Sequence, residues 1–318
     1  MLYLWFFLAS VLLLLGYFKL ADRLNIIDKP NHRSSHTEVT ILGGGVVFPL
    51  ILAFYSIVQG LSYPFFVIGL ILISAISFYD DIKPLSSRLR LISHLIAVSF
   101  LFLETGALDL PIWIVPIAYL IVIGTINAYN FMDGINGLTG AYSLGLVLTL
   151  YYINEYIVVF VSRDWLLISS VILLAFSLFN FRRKARCFAG DVGSISIAFT
   201  VIFYLLLLIN KTGEIKYIGL LLIYGLDSIT TIVFRLIRGE NILEAHRSHF
   251  YQYLVNSRSF GHLTIAIFYL MSQLLVNILV LSFSFNWVSL LLFCVVAGVL
   301  VIILRLKVEG SAHLLARH

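Results

Sequence analysis

Five polar clusters in this sequence combine carboxylates, cations, amides and glycines in proportions that suit phosphate chemistry. The first, Phe78-Tyr79-Asp80-Asp81-Ile82-Lys83-Pro84, sets two carboxylates side by side and is followed by Arg88 and Arg90. Adjacent carboxylates repel and call for cations or a metal ion nearby, unless they merely mark a solvated helix end. Guanidinium forks match phosphate oxygens, so either arginine could hold a phosphate; anchoring beside an apolar segment is the competing account. The second cluster runs from Asn127 through Tyr129-Asn130-Phe131-Met132-Asp133-Gly134-Ile135-Asn136-Gly137 to Leu138. Its Asn and Asp oxygens suit a hard cation such as Mg²⁺, and its glycines permit close backbone approach to a ligand. A simple tight turn needs far fewer such residues.

In the third cluster, Arg182, Arg183, Lys184 and Arg186 precede Cys187-Phe188-Ala189-Gly190-Asp191-Val192-Gly193-Ser194. A carboxylate beside that much positive charge stays ionised, as a metal ligand must, and glycines at a helix start favour phosphate. A capped helix behind a charged anchor is the plainer reading. The fourth, Glu244-Ala245-His246-Arg247-Ser248-His249, offers two histidines but no third zinc ligand, so gripping a diphosphate or a sugar suits it better. The fifth, Asp28-Lys29-Pro30-Asn31-His32-Arg33-Ser34-Ser35-His36 with Gly43-Gly44-Gly45 after it, fits helix packing as well as substrate contact.

The elements that position these clusters follow from composition. Of 318 residues, 61% are hydrophobic and 12% charged, more apolar surface than one soluble core can hide. The apolar runs are continuous rather than alternating, which makes a β-barrel a poor alternative and predicts an all-α, polytopic transmembrane bundle. Eleven spans are expected, or ten on a stricter reading: 2–20, 43–59, 63–79, 89–104, 111–127, 138–153, 165–181, 194–209, 216–234, 262–281 and 286–304. The first lacks a basic start and a small-residue cleavage site, and reads as a retained helix. Cys187 and Cys294 have no redox or metal spacing and read as buried bystanders. With the amino terminus outside, only Arg163, Lys211 and Lys216 of the 21 Lys and Arg residues fall outside, as the positive-inside rule demands. The net charge of +5 thus reflects topology, and no nucleic-acid polymer is expected as a partner. No repeat or linker divides the chain, so residues 1–318 are expected to form one integral membrane domain.

All five clusters then share the inner face, while the outer connections are short and bland. Carboxylates for a divalent cation, cations for phosphates and burial in a membrane together suggest phosphoryl transfer onto a lipid. A transporter or flippase of a phosphorylated lipid or sugar would place polar residues on both faces and ionisable groups mid-membrane, where only Asp227 stands. The repeated aspartate string of the CDP-alcohol phosphotransferases is absent.

On Asp80-Asp81, the Asn127–Leu138 run, Phe188-Ala189-Gly190-Asp191 and the histidine loop, the chain resembles the polyprenyl-phosphate N-acetylhexosamine-1-phosphate transferases, glycosyltransferase family 4. Its Arg33-Ser34-Ser35-His36 and Ala245-His246-Arg247-Ser248-His249 strings look closest to the O-antigen initiating subgroup. The resemblance implies transfer of a sugar 1-phosphate from a UDP-N-acetylhexosamine to undecaprenyl phosphate, with release of UMP and Mg²⁺ (or Mn²⁺) as cofactor. It implies Asp191 and Asn130 as metal ligands, and Asp80 as the base or orienting group for the lipid phosphate, with Asp81 in support. By the same resemblance Asn136 contacts uracil, Phe188 stacks on it, and Arg90 meets the lipid phosphate. His246, Arg247 and His249 would hold the diphosphate and read the sugar. A multi-pass protein of the inner (plasma) membrane, amino terminus outside and carboxyl terminus cytoplasmic, in contact with membrane lipid and compatible with a homodimer, completes the expectation. Two departures bear on sugar identity: the histidine loop lacks a His-x-His-His pattern, and no Pro stands in Val39-Thr40-Ile41-Leu42.

Overall fold

A computed structural model describes residues 1–29, 38–242, 244 and 246–316. The Arg33–His36 string, Leu243 and Ala245 of the histidine loop lie outside the described residues. Eleven long helices coincide with the eleven expected spans: α1 (Leu2–Leu24), α2 (Val47–Val58), α3 (Pro64–Ile82), α4 (Ser87–Thr105), α5 (Val115–Phe131), α6 (Leu138–Tyr156), α7 (Arg163–Asn180), α8 (Gly190–Thr212), α9 (Leu222–Arg238), α11 (His262–Ser282) and α12 (Trp287–Glu309). Two short helices were not expected, α10 (Phe250–Asn256) and α13 (Ser311–Leu315), and a two-residue antiparallel pair, β1 (Ile27–Asp28) with β2 (Thr40–Ile41), closes the first loop. Seven of these spans are long and apolar enough to cross a membrane by length and composition, and two shorter apolar helices cover 44–58 and 115–131. The chain is therefore a multi-pass helical membrane protein.

Helix α8 is the axis of the bundle and packs against α2, α3, α4, α5 and α6. Its apolar window is 83% buried, against 0% for α12, so α8 faces protein and α12 faces lipid along most of its length. A central helix can carry small polar residues if the helix itself satisfies them. Ser196 donates to the Gly193 carbonyl (3.1 Å) and Thr200 to that of Ser196 (2.9 Å). Helix α3 is closed at its start by Glu104 of α4, whose Oε2 accepts from the Phe65 and Phe66 amides at 2.7 and 3.1 Å. The expected single span at 216–234 is instead a 3-10 run (Ile215–Leu221) continuing into α9. A backbone that changes winding inside the bundle needs partners for its polar groups. Gln273 of α11 supplies them, accepting from the Ile223 amide (3.0 Å) and from Tyr142 (2.6 Å) while donating to the Gly219 carbonyl (3.3 Å).

Candidate active site

The carboxylate pair arises because α3 runs past its apolar stretch to Ile82, presenting Asp80 and Asp81 on its last turn. The two residues then part. Asp81 faces the start of α8, where Oδ1 accepts from the Asp191 amide (2.8 Å) and Oδ2 from the Val192 amide (3.1 Å). The opening turn of a helix has unpaired N–H groups and a partial positive charge, so a carboxylate there is favourable. Asp81 thereby fixes where α8 begins, and Gly190 makes the approach feasible. Its φ is +72°, and an added Cβ would lie 2.6 Å from Asp81 Oδ2 and 2.9 Å from the Gly43 Cα.

Asp80 turns the other way. Its Oδ1 accepts from the Leu85 amide (2.5 Å), and its Oδ2 meets Arg90 Nη1 at 3.3 Å. The carboxylate is largely buried while Arg90 keeps 42% of its side chain exposed, leaving much of the guanidinium available to a further anion. Arg88 is exposed.

Asp191 sits on the first turn of α8, with the Asn130 amide and the Asp80 carboxylate as polar neighbours. Ser194 donates to Asn130 Oδ1 (2.7 Å), which leaves that oxygen one lone pair for another partner. Two adjoining carboxylates and an amide oxygen suit a hard divalent cation, which would offset the repulsion between Asp80 and Asp191. Among the described residues no three His, Cys, Asp or Glu side chains converge as a closed cage. A cation held here would complete its shell with substrate oxygens and water, the usual habit of Mg²⁺. Asp133 stands next to this group, its carboxyl pushed up to about 7 by burial and by the charge of Asp191. Asp133 has no role in the sequence pattern beyond its place in the Asn-Asp-Gly run, and that place between amides and glycines is the signal that marks it.

The glycine triplet lies against the same helix start. Phe188 donates its amide to the Ile41 carbonyl (2.8 Å), and its own carbonyl accepts from the Gly44 amide (2.8 Å). Gly45 donates to the Ala189 carbonyl (3.0 Å), and a Cβ on Gly45 would fall 2.2 Å from the Gly193 Cα. The packing role expected of the triplet is thus realised, and it braces Phe188, whose ring is half-buried. Cys187 is buried there, its thiol pushed up to about 12 by burial, which keeps it neutral. Cys294 is half-buried on α12, and both cysteines are free. Asn136 spends both amide hydrogens on the Arg182 and Arg183 carbonyls, each at 3.0 Å. Its Oδ1 is buried with no hydrogen-bond partner among the described residues, an acceptor in need of a donor.

The histidine loop folds back over the end of α5. Tyr251 donates to the Phe131 carbonyl (2.8 Å), and the rings of His246 and His249 stack with centroids 5.0 Å apart, both beside Phe131. Burial, together with His249 and Arg235, holds His246 down at about 4. Arg247 is half-buried in the same loop. The structure therefore brings Asp80, Asp81, Arg90, Asn130 and Asp191 into one cluster. Asn136, Phe188 and the histidine loop lie around it at the same end of the bundle. Sequence reasoning left Asp227 as a lone mid-span charge and did not connect it with His249, to which it is bonded (3.2 Å). An acid inside an apolar span is itself the signal of a buried partner.

Residues 63–209 match the family model described as glycosyl transferase family 4, a segment that contains every candidate site residue except the histidine loop. The chain is 25% identical to the undecaprenyl-phosphate alpha-N-acetylglucosaminyl 1-phosphate transferase of Yersinia pestis, over 90% of this chain and 86% of that protein. It is 23% identical to the probable undecaprenyl-phosphate N-acetylglucosaminyl 1-phosphate transferase of Bacillus subtilis (strain 168), over 86% and 82%. A phospho-N-acetylmuramoyl-pentapeptide-transferase of Thermotoga petrophila is 26% identical over 58% of this chain and 70% of its own length.

Proposed function

We propose that the chain is a polyprenyl-phosphate N-acetylhexosamine-1-phosphate transferase, and that it moves an N-acetylhexosamine 1-phosphate from a UDP-sugar to undecaprenyl phosphate, releasing UMP. The observation that carries this reading is the meeting of Asp80, Asp191 and Asn130 beside a half-exposed Arg90 at one end of the bundle. An apolar lipid tail can stay in the bilayer there while its phosphate meets a water-soluble donor.

In the proposed reaction an oxygen of the lipid phosphate attacks the sugar-side phosphorus of the donor. The bond from that phosphorus to the bridging oxygen breaks, and UMP leaves with the electron pair. Arg90 holds the lipid phosphate, and Asp80 orients it or takes its proton if it arrives protonated. Asp191 and the free lone pair of Asn130 Oδ1 would hold Mg²⁺, or Mn²⁺ in its place, which when bound supplies charge stabilisation for the phosphoryl oxygens. Asp81 keeps Asp191 in register through the α8 amides. Asn136 Oδ1 accepts from the one N–H on the edge of uracil, and Phe188 covers the face of the ring. His246, Arg247 and His249 meet the diphosphate and sugar. We place this end on the cytoplasmic side of the plasma membrane, because it gathers nearly all the Lys and Arg residues. The product would initiate a cell-surface polysaccharide, an O-antigen on the reading of the histidine loop.

The test is incubation of purified protein with Mg²⁺, undecaprenyl phosphate and labelled UDP-GlcNAc, UDP-QuiNAc or UDP-FucNAc. The expected result is a labelled lipid formed one for one with UMP. Failure to label lipid from every donor, alongside substrate movement across proteoliposomes, would replace the reading with transport.

A further inference from the structure

Asp227 lies in α9, 3% exposed, and takes donors from α9 itself, from His249, from α10 and from α11. Its Oδ1 accepts from the Phe250 amide (3.0 Å), from Thr231 (3.2 Å) and from His249 Nδ1 (3.2 Å). Its Oδ2 accepts from Tyr269 of α11 (2.6 Å) and from the Tyr251 amide (3.4 Å). Arg305 of α12, 1% exposed, stands 4.0 Å from Asp227 and completes the enclosure. It donates to Thr230 (3.0 Å), to Thr231 (2.8 Å) and to the Ser248 carbonyl (2.9 Å), and Glu309 balances its charge at 2.5 Å. The residue before His249 and the residue after it are therefore both tied to this buried group.

The histidine itself is left with one loose end. A carboxylate accepts only, so the proton of the ring sits on Nδ1, and Nε2 on the opposite edge is the atom the ring can offer. His249 is 3% exposed, and its Nε2 is buried with no hydrogen-bond partner among the described residues. A buried polar atom without a partner calls for an explanation, and beside the carboxylate and glycine cluster a ligand's hydrogen-bond donor supplies one. The ring stands beside Phe131, the neighbour in sequence of Asn130.

We propose that Asp227, backed by Arg305, is a positioning residue for the transfer: it locks His249 with Nδ1–H turned to α9 and the Nε2 lone pair turned, as an acceptor, to a hydroxyl or acetamido N–H of the sugar on the nucleotide-sugar donor. This rests on the transferase reading above. The lipid acceptor takes no part in the contact, so the donor alone should register its loss.

A double-mutant cycle tests it, with kcat and KM measured for both substrates in wild type, Asp227→Asn, His249→Ala and the pair. Each single variant should lose roughly 10- to 100-fold in kcat/KM for the UDP-sugar, the range for removing an outer partner of a working histidine, with the KM for undecaprenyl phosphate unchanged. The pair should be no worse than His249→Ala alone, because Asp227 then has nothing left to position. Multiplying losses in the pair would overturn the positioning role while leaving the transferase reading intact. A wild-type protein with no transferase activity would overturn both. Should Asp227→Asn fail to fold, ¹⁵N-histidine spectra of the wild type decide, with His249 assigned by comparison with His249→Gln. A proton on Nδ1 supports the proposal, and a ring protonated on Nε2 alone rejects it.

Discussion

Replacing Gly190 with alanine should damage the site more than its single methyl group suggests. The backbone there has φ +72°, a left-handed conformation that costs a residue with a Cβ about 1–2 kcal/mol. The new Cβ would also lie 2.6 Å from Asp81 Oδ2 on one side and 2.9 Å from the Gly43 backbone on the other. Of the two, only the carboxylate is the end of a side chain, so Asp81 must give way. Losing one of its bonds to the Asp191 and Val192 amides costs about 1.5–3 kcal/mol, since hydrogen bonds to charged groups are the stronger kind. Together the two effects amount to roughly 2.5–5 kcal/mol, a large fraction of the about 5–15 kcal/mol by which proteins are stable. Asp191 would move with the helix start, so we expect a fall in the melting temperature and at least about a 100-fold loss of transfer. Gly124→Ala on α5 is the control, because a Cβ there meets nothing within 4 Å. The assays are thermal unfolding in detergent and formation of labelled lipid. Wild-type turnover in Gly190→Ala would refute the view that Asp81 and Gly190 set the position of Asp191.

Asp191→Asn removes a charge without changing shape and should slow transfer by roughly 100-fold or more at ordinary Mg²⁺, a barrier increase of about 3 kcal/mol; near-normal turnover would mean another ligand. Phe188→Ala should raise the KM for the UDP-sugar and spare that for the lipid, by a stacking loss of about 1–3 kcal/mol, and an unchanged donor KM would make the ring only an interface aromatic. Arg90→Lys should weaken use of undecaprenyl phosphate while Arg88→Lys does much less; equal, wild-type acceptor kinetics in both would leave anchoring as the whole role of Arg90. His246 is held down at about 4, below the usual histidine value near 6.5, so its neutral form stabilises the fold above that value and this contribution is lost as pH falls from 6.5 through 4. Unfolding midpoints measured across that window should fall less steeply in His246→Gln than in wild type, and identical slopes would count against the burial of a neutral ring.

The eleven long helices were legible because a bilayer asks one simple thing of a sequence, about 20 apolar residues in a row. Their ends were not, because hydropathy stops where charge begins while helices do not. Helix α3 carries Asp80 and Asp81 beyond the expected end at 79, and α8 opens at Gly190 rather than 194, which puts Asp191 inside its first turn. Capping decides those boundaries, and here the cap comes from a residue on another helix. The site residues within one run, Asn130 to Asn136 or Phe188 to Asp191, could be picked out by composition alone. The pairings could not: the glycine triplet meets Ala189 and Gly193, and Asp227 meets His249, Tyr269 and Arg305, across intervals that carry no period.

Arg305 also sets an order in time. A ribosome releases α3, α5 and α8 long before α12, so the carboxylate cluster can form around a chain whose last long helix is still being made. Until Arg305 arrives, Asp227 is an acid on a helix bordered by lipid, without its cation, and the Ser248 carbonyl has lost the guanidinium that holds it. The membrane must shelter that charge during synthesis, and the histidine loop stays unset until α12 docks. A nascent chain would thus own its carboxylate cluster before its histidine loop is set, and the two halves of the candidate site would meet only once α12 enters the bilayer.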